Sequence, residues 1–464
     1  MLARFFARWR TPAAAAQVAS PSADHSAGTA ARAAPASAPA PPPDPPAVSA
    51  WHLLARRPAI DPAGAIAGWE LRLSDWAVQR LTRAGGQRAM QETYGYALVQ
   101  AARSVSEGGR RPLVSVVGLD DAGPALAALP RDTILLVDDG SGNPSGRLAP
   151  HVDRLLDAGL KAAAAPALQS VVHAEFSLLD AARLGSAEVL RRCRQSAPAP
   201  GGWIAMNLAS FDEVADAVRH RATLAYGRLS PSRPAGARRG MTAPVAATQI
   251  AGILTALVNG RSPRELADMF KGDVTLSYRL LRYLSMAGVG QGRTPQSIQD
   301  AVLLLGANEL HRWLCVLLAD SGASPIARAL HETALARGRL LELMAVARRE
   351  PRPDSLFVLG AFSLLDLLLD VPLEVALALA PLPEAAIDAL IAETGPWRPY
   401  LDVALALEAC DPARLDEACD RLQLSRDTVV AMSGEAARWS TEAASLLRQA
   451  GSRQPGPREA VAAA

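Results

Sequence analysis

Cysteine is scarce in this chain: Cys193, Cys315, Cys410 and Cys419 are the only four in 464 residues. None belongs to a CxxC or CxxH pair, which excludes the usual structural zinc and dithiol redox motifs. Cys410 and Cys419 are nine apart, on roughly opposite faces of any helix. This usage predicts a reduced, cytoplasmic setting. Lysine is rarer still, with only Lys161 and Lys271 among 48 cationic residues; with so many alanines, this reads as the codon bias of a GC-rich genome. An excess of either charge is also lacking, since 48 Lys+Arg against 46 Asp+Glu leave a net +2. That balance gives no global attraction to nucleic acid or anionic membrane. Arg238-Arg239 is too short to form a local nucleic-acid patch. A long uncharged apolar run is missing as well. The most apolar stretch, Leu356–Leu379, contains Asp366, Asp370 and Glu374, so it fails as a transmembrane span of about 20 residues and reads as buried helices. P-loop, dinucleotide and Gly-x-Ser-x-Gly fingerprints are absent in suitable context, and Gly140-Ser141-Gly142 is a turn signal only.

The chain does have enough length for two or three globular units, with half of its residues hydrophobic. Residues 1–50 form an Ala/Pro/Ser-rich tail, expected to be disordered, that opens with the basic aromatic peptide Met1–Arg10 and lacks a secretory h-region. From residue 51 to 233, short apolar runs alternate with amphipathic stretches. The runs predict strands at Ile66–Leu73, Leu113–Leu119, Thr133–Asp138, Leu160–Ala165, Glu175–Asp180, Trp203–Leu208 and Leu224–Leu229. Trp76–Val105, Leu148–Ala158, Ala181–Arg194 and Phe211–His220 read as the helices between them. This alternation calls for a parallel sheet or, better, a β/α barrel. At about 180 residues the region falls below the roughly 250 of a full eight-fold barrel, so elements should be shortened or missing. Ser230–Ala243, rich in Pro, Gly and Arg, reads as a linker over 234–243. From 244 to 450 the pattern is helical. Ile250, Ile253, Leu254 and Leu257 recur at helical spacing; so do Leu276, Leu280, Leu281 and Leu284, and Val302, Leu305, Leu310 and Leu314. Thr294-Pro295 reads as the start of one such helix and Gly306 as its end. Residues 451–464 read as a second disordered tail.

Leu54–Leu73 (LARRPAIDPAGAIAGWELRL) resembles the opening of EAL domains, the bacterial cyclic di-GMP phosphodiesterases. It is most similar to the EAL-like half of proteins that join such a domain to an HDOD domain. Met269–Gly288 (MFKGDVTLSYRLLRYLSMAG) and Thr294–Leu318 (TPQSIQDAVLLLGANELHRWLCVLL) are similar to the HDOD pattern. The resemblance implies an α/β plus all-α architecture: a degenerate, shortened (β/α) barrel of EAL type followed by an all-helical HDOD domain. Hydrolysis in the EAL family is similar to two-metal chemistry, in which hard cations need clustered carboxylate oxygens. Glu70, in Gly68-Trp69-Glu70-Leu71, falls on the glutamate of the signature motif. Aligned positions for further metal-binding groups read Val137, Ala165 and Pro166, and Leu178 stands where a lysine is expected; Asp180 retains the following aspartate. Asp138 and Asp139 are one and two residues from Val137, and a one-residue offset in a strand changes the face. Glu70 shares a face with Arg72 and is expected to pair with it at the barrel rim.

On this reading Glu70 is vestigial, the chain is not an enzyme, and it needs no metal or other cofactor. HD metal phosphohydrolases, to which HDOD domains are similar, require an adjacent His-Asp pair, and the chain has no such dipeptide. His311 and His331 are twenty apart, and Asp366 stands alone among leucines. The expected function is signal transduction through a protein partner that the sequence does not identify. Two alternatives are a metal-independent cyclic di-GMP sensor, with Arg56, Arg57 and Arg228 as phosphate candidates, and an active phosphodiesterase using Glu70, Asp138, Asp139 and Asp180. Oligomeric state is not readable from the sequence.

Overall fold

A computed structural model describes residues 54–73, 95–115, 124–137, 148–169, 172–195, 200–229, 244–287, 295, 297–320, 326–379, 382–409 and 411–451. Met1–Arg10, Asp138, Asp139, the linker Ser230–Ala243, Thr294, Cys410, residues 452–464 and most of Trp76–Val105 lie outside the described residues.

Eight strands close into a barrel in sequence order. They are β1 (Leu54–Ile60), β2 (Ile66–Leu73), β3 (Arg111–Ser115), β4 (Ile134–Val137), β5 (Lys161–Ala164), β6 (Phe176–Asp180), β7 (Trp203–Leu208) and β8 (Ala222–Gly227). The expected shortening is seen in strands of as few as four residues, β4 and β5, and in the helical layer, where only 3-10 turns (Pro124–Ala128 and Pro166–Leu168) are described between β3 and β4 and between β5 and β6; no strand is lost. The additional strand is β1, which runs antiparallel to both β2 and β8, whereas β2 through β8 are parallel neighbours. Because β1 returns through a tight turn over Asp61–Ala65, the barrel closes without a crossover helix at that point.

Burial on both faces explains the composition of the parallel strands. All four residues of β4, Ile-Leu-Leu-Val, are buried, as expected of a parallel strand sandwiched between barrel interior and helices. Alternate residues divide the two layers. Ile134 and Leu136 join Leu113, Ala163, Leu178, Ile204 and Leu224 in the interior cluster, whereas Leu135 and Val137 join Val152 and Leu155 of the surrounding helix Leu148–Asp157. The segment Ala181–Arg194 forms two helices, Ala181–Leu184 and Ser186–Cys193, because Gly185 breaks it with a φ of 78°. Helix Phe211–Arg219 begins where the Ser210 hydroxyl accepts the Glu213 N–H.

The remainder of the described chain is helical from Val245 to Gly451. The repeated Ile and Leu positions read from the sequence are its core, centred on Trp313 with Phe270 and Tyr283 at ring-centroid distances of 6.2 and 5.7 Å. Helix Ile298–Leu305 ends at Gly306 as expected, but its cap is Ser297, whose hydroxyl accepts the Asp300 N–H; Thr294-Pro295 lies too far upstream. Helices Ala327–Ala347 and Pro353–Phe362 cross backbone to backbone: a Cβ added at Gly360 would lie 2.7 Å from Gly338 Cα. Among the described residues no single helix is long and apolar enough to cross a membrane; the pair Ile298–Leu305 and Ala307–Asp320 passes by length and composition but is bent by 105°.

One apolar cluster spans barrel and helices. Ala205, Leu208, Val214, Val218 and Ala225 of the barrel half cluster with Ala319, Ile326, Leu330, Ala334, Leu364, Leu367 and Leu368 of the helical half. Polar contacts tie the same seam. The Gly64 carbonyl, in the β1–β2 turn, accepts the Ala329 N–H at 2.9 Å, satisfying a donor that the helix Ala327–Ala347 leaves open in its first turn. Arg110, just before β3, pairs with buried Glu332 at 3.0 Å, and Thr441 on the last helix donates to the other oxygen of that carboxylate at 2.7 Å.

Candidate functional site in the barrel

The strand register sets the positions of the polar residues inside the barrel. In β2, Trp69 and Leu71 belong to the outer layer, so Glu70 and Arg72 face inward. In β1, Ala59 lies in the interior cluster and Arg57 two residues earlier shares its face. The antiparallel register sets Arg57 directly opposite Glu70. Arg57 donates from Nε to Glu70 Oε2 at 2.5 Å and from Nη2 to Oε1 at 3.0 Å. Glu70 is buried and Arg57 half-buried, with side chains at 4% and 13% exposure. The Arg57 guanidinium lies 5.5 Å from the ring centre of Tyr226 on β8, a cation–π distance. Tyr226 is fully buried and donates its hydroxyl to Met206 Sδ at 3.5 Å. Burial holds its phenol well above the usual value; the charges of Glu70 and Asp180 reinforce the shift and those of Arg57 and Arg72 oppose it.

Asp180, at the end of β6, caps helix Ala181–Leu184 by accepting the Ala182 N–H at 2.9 Å, and it accepts a second bond from Asn207 Nδ2 at 2.8 Å. Asn207 sits at the irregularity between β7 and β8 with a φ of 57°, a left-handed conformation uncommon within a strand. The kink aims its amide at Asp180.

The remaining sequence-derived positions separate. Leu178 fills the apolar interior. Val137 is buried in the outer layer facing the helices, so its side chain does not enter the barrel; its inward neighbour is Leu136. Ala165 is half-buried at the end of β5, and Pro166 is exposed at the start of a short 3-10 turn. Arg228 is exposed. The expected Glu70–Arg72 pair is corrected to Glu70–Arg57: alternation was read properly, but the partner comes from across the hairpin. The signal for that was the Asp61-Pro62-Ala63-Gly64 turn, which folds β1 onto β2.

Two metal ions need several convergent carboxylates or imidazoles. Among the described residues no group of three or more His, Cys, Asp or Glu is placed to hold one ion, and both oxygens of Glu70 are engaged by Arg57. The described donor set therefore does not fit a two-metal centre. In the helical half, His331 is buried with Nδ1 3.8 Å from Asp320, and His311 lies with Nδ1 3.8 Å from Cys315 Sγ; burial lowers the His311 pKa.

No protein-family model matches the chain. In sequence it is 29% identical over 149 residues to the uncharacterized protein YuxH of Bacillus subtilis, covering 32% of this chain and 36% of that protein. It is 28% identical over 176 residues to the cyclic di-GMP phosphodiesterase CdgJ of Vibrio cholerae, covering 38% of this chain and 41% of that protein. The chain thus matches less than half the length of these curated relatives. Among solved structures, an EAL domain protein of Listeria monocytogenes aligns at 12% identity and a TM-score of 0.29, covering 40% of this chain and 92% of that one. The Klebsiella pneumoniae protein BlrP1, in complex with manganese and cyclic di-GMP, aligns at 15% identity and a TM-score of 0.30, covering 38% and 54%. The expectation that the chain is not an enzyme is corrected by the sequence relationship to CdgJ, which is a cyclic di-GMP phosphodiesterase. Missing ligands at individually aligned positions were too narrow a basis for it, because Val137 does not face the barrel interior and Asp138 and Asp139 lie outside the described residues.

Proposed function

We propose that the chain is a cyclic di-GMP signalling protein in which an EAL-like barrel, residues 51–233, engages the nucleotide and an HDOD-like helical domain, residues 244–450, presents the output surface to a protein partner. The observation that carries this reading is the shared core: Leu330, Leu367 and Leu368 pack in one cluster with Leu208, Val214 and Ala225 of the barrel. Two units joined only by a linker move independently, whereas a continuous apolar seam makes a change in one a cost to the other. The sequence relationship to a cyclic di-GMP phosphodiesterase supplies the ligand class. The buried free thiols Cys193, Cys315 and Cys419 suit the cytoplasm, which we take as the setting.

The test is hydrogen–deuterium exchange of the full chain with and without cyclic di-GMP, with linearised product assayed in the same samples. The expected result is saturable protection at the barrel strands together with altered exchange in Ala327–Ala347. Protection confined to the barrel overturns the coupling, and no protection overturns the nucleotide reading. Product formation would add the relative's hydrolytic activity to the binding function.

A further inference from the structure

The donor set of the barrel interior disagrees with the two-metal arrangement that the family implies, and Arg57 accounts for the disagreement. Glu70 is the carboxylate on the signature position, and a cation is already bound to it. Arg57 faces it across the β1–β2 ladder and takes both oxygens in a bidentate contact. The planar guanidinium matches carboxylate geometry, so Arg57 uses one lone pair of each oxygen and sets a full positive charge against both. The Tyr226 ring lies beside the same guanidinium and is itself fully buried. On the mouth side, Arg72 occupies the next inward position of β2 and adds a second positive charge.

We propose that Arg57 is a built-in cation of this barrel: its fixed charge against both oxygens of Glu70 opposes divalent metal at that carboxylate, and its removal makes Glu70 more available to metal. Without Arg57, the buried Glu70 carboxylate loses the cation that offsets its charge, and a divalent ion is one species that can replace it. The inference goes beyond the nucleotide reading and stands whether or not cyclic di-GMP binds.

The experiment is titration of the full chain with Mn²⁺ alone, followed by electron paramagnetic resonance of the free ion. Wild type is expected to bind weakly, with no change on Glu70→Gln. Arg57→Gln should bind at least roughly tenfold more tightly, a scale set by removing one unit charge next to the ligand. The gain should vanish in Arg57→Gln/Glu70→Gln and be absent in Arg57→Lys, which keeps the charge. A folded Arg57→Gln with wild-type Mn²⁺ affinity overturns the proposal and leaves the pair a purely structural contact. If Arg57→Gln does not fold, wild type decides: tight Mn²⁺ binding that Glu70→Gln abolishes overturns the proposal, and weak binding indifferent to Glu70→Gln supports it.

Discussion

Truncating Leu330 to alanine tests whether the barrel and the helical half are one cooperative body. Leu330 is fully buried in the cluster that spans both halves, next to Ala329, whose N–H is held by the Gly64 carbonyl. Large-to-small substitution at such a site costs about 2–5 kcal/mol, the transfer free energy of the lost methyls plus the residual cavity. At about 1.4 kcal/mol per tenfold, the opening equilibrium of the seam should rise by roughly thirty-fold to several thousand-fold. The assay is native-state hydrogen exchange resolved by peptide. Exchange should accelerate together in β7, β8 and helix Phe211–Arg219 on one side and in Ala327–Ala347 on the other. Acceleration confined to the helical half would refute the reasoning, because it would mean that the barrel keeps its stability without the seam.

Gly360→Ala should lower stability by about 1–3 kcal/mol, since the added methyl meets the Gly338 backbone at the crossing of two helices; thermal unfolding measures it. Burial pushes the thiols of Cys193 and Cys419 up to about 11 and that of Cys315 to about 12. All three should therefore resist alkylation at pH 8 in the native state and react in denaturant, as mapped by peptide mass spectrometry. Tyr226 has a folded pKa above its unfolded value of about 10, so the stability it contributes is complete below that pH and is lost as pH rises through the folded value. Tyr226→Phe should flatten the alkaline fall in melting temperature, and an unchanged pH profile would count against a buried phenol. Glu70→Ala should cost about 3–5 kcal/mol by leaving Arg57 uncompensated, whereas Arg57→Met/Glu70→Leu should cost far less; additive single effects in denaturant unfolding would contradict the pair.

Periodicity made most of the architecture legible. Leu276, Leu280 and Leu284 declare a helix face because the 3.6-residue repeat is written in the sequence, and Ile-Leu-Leu-Val of β4 declares a strand buried on both sides. Strand β1 was less visible: Arg56-Arg57-Pro58 reads as surface, and Arg57 is explained only once Glu70 lies opposite. Alternation put Glu70 and Arg72 on one face, yet pairing depends on what lies across the ladder, and that is a property of the register. Val137 shows the reverse difficulty. Its alignment with a metal-binding position said nothing about which face of the short strand it takes, and packing against Val152 and Leu155 sets it outward. The seam around Leu330 was not readable at all, because apolar residues buried between two halves look the same in sequence as those buried within one.

The measurement that tests the central claim most directly is calorimetric titration of the full chain with cyclic di-GMP, in chelator and again in Mn²⁺, with an unrelated nucleotide as control. Saturable binding of cyclic di-GMP that persists in chelator and is not reproduced by the control is the predicted result. An absence of saturable heat under both conditions, or equal binding of the unrelated nucleotide, would contradict it.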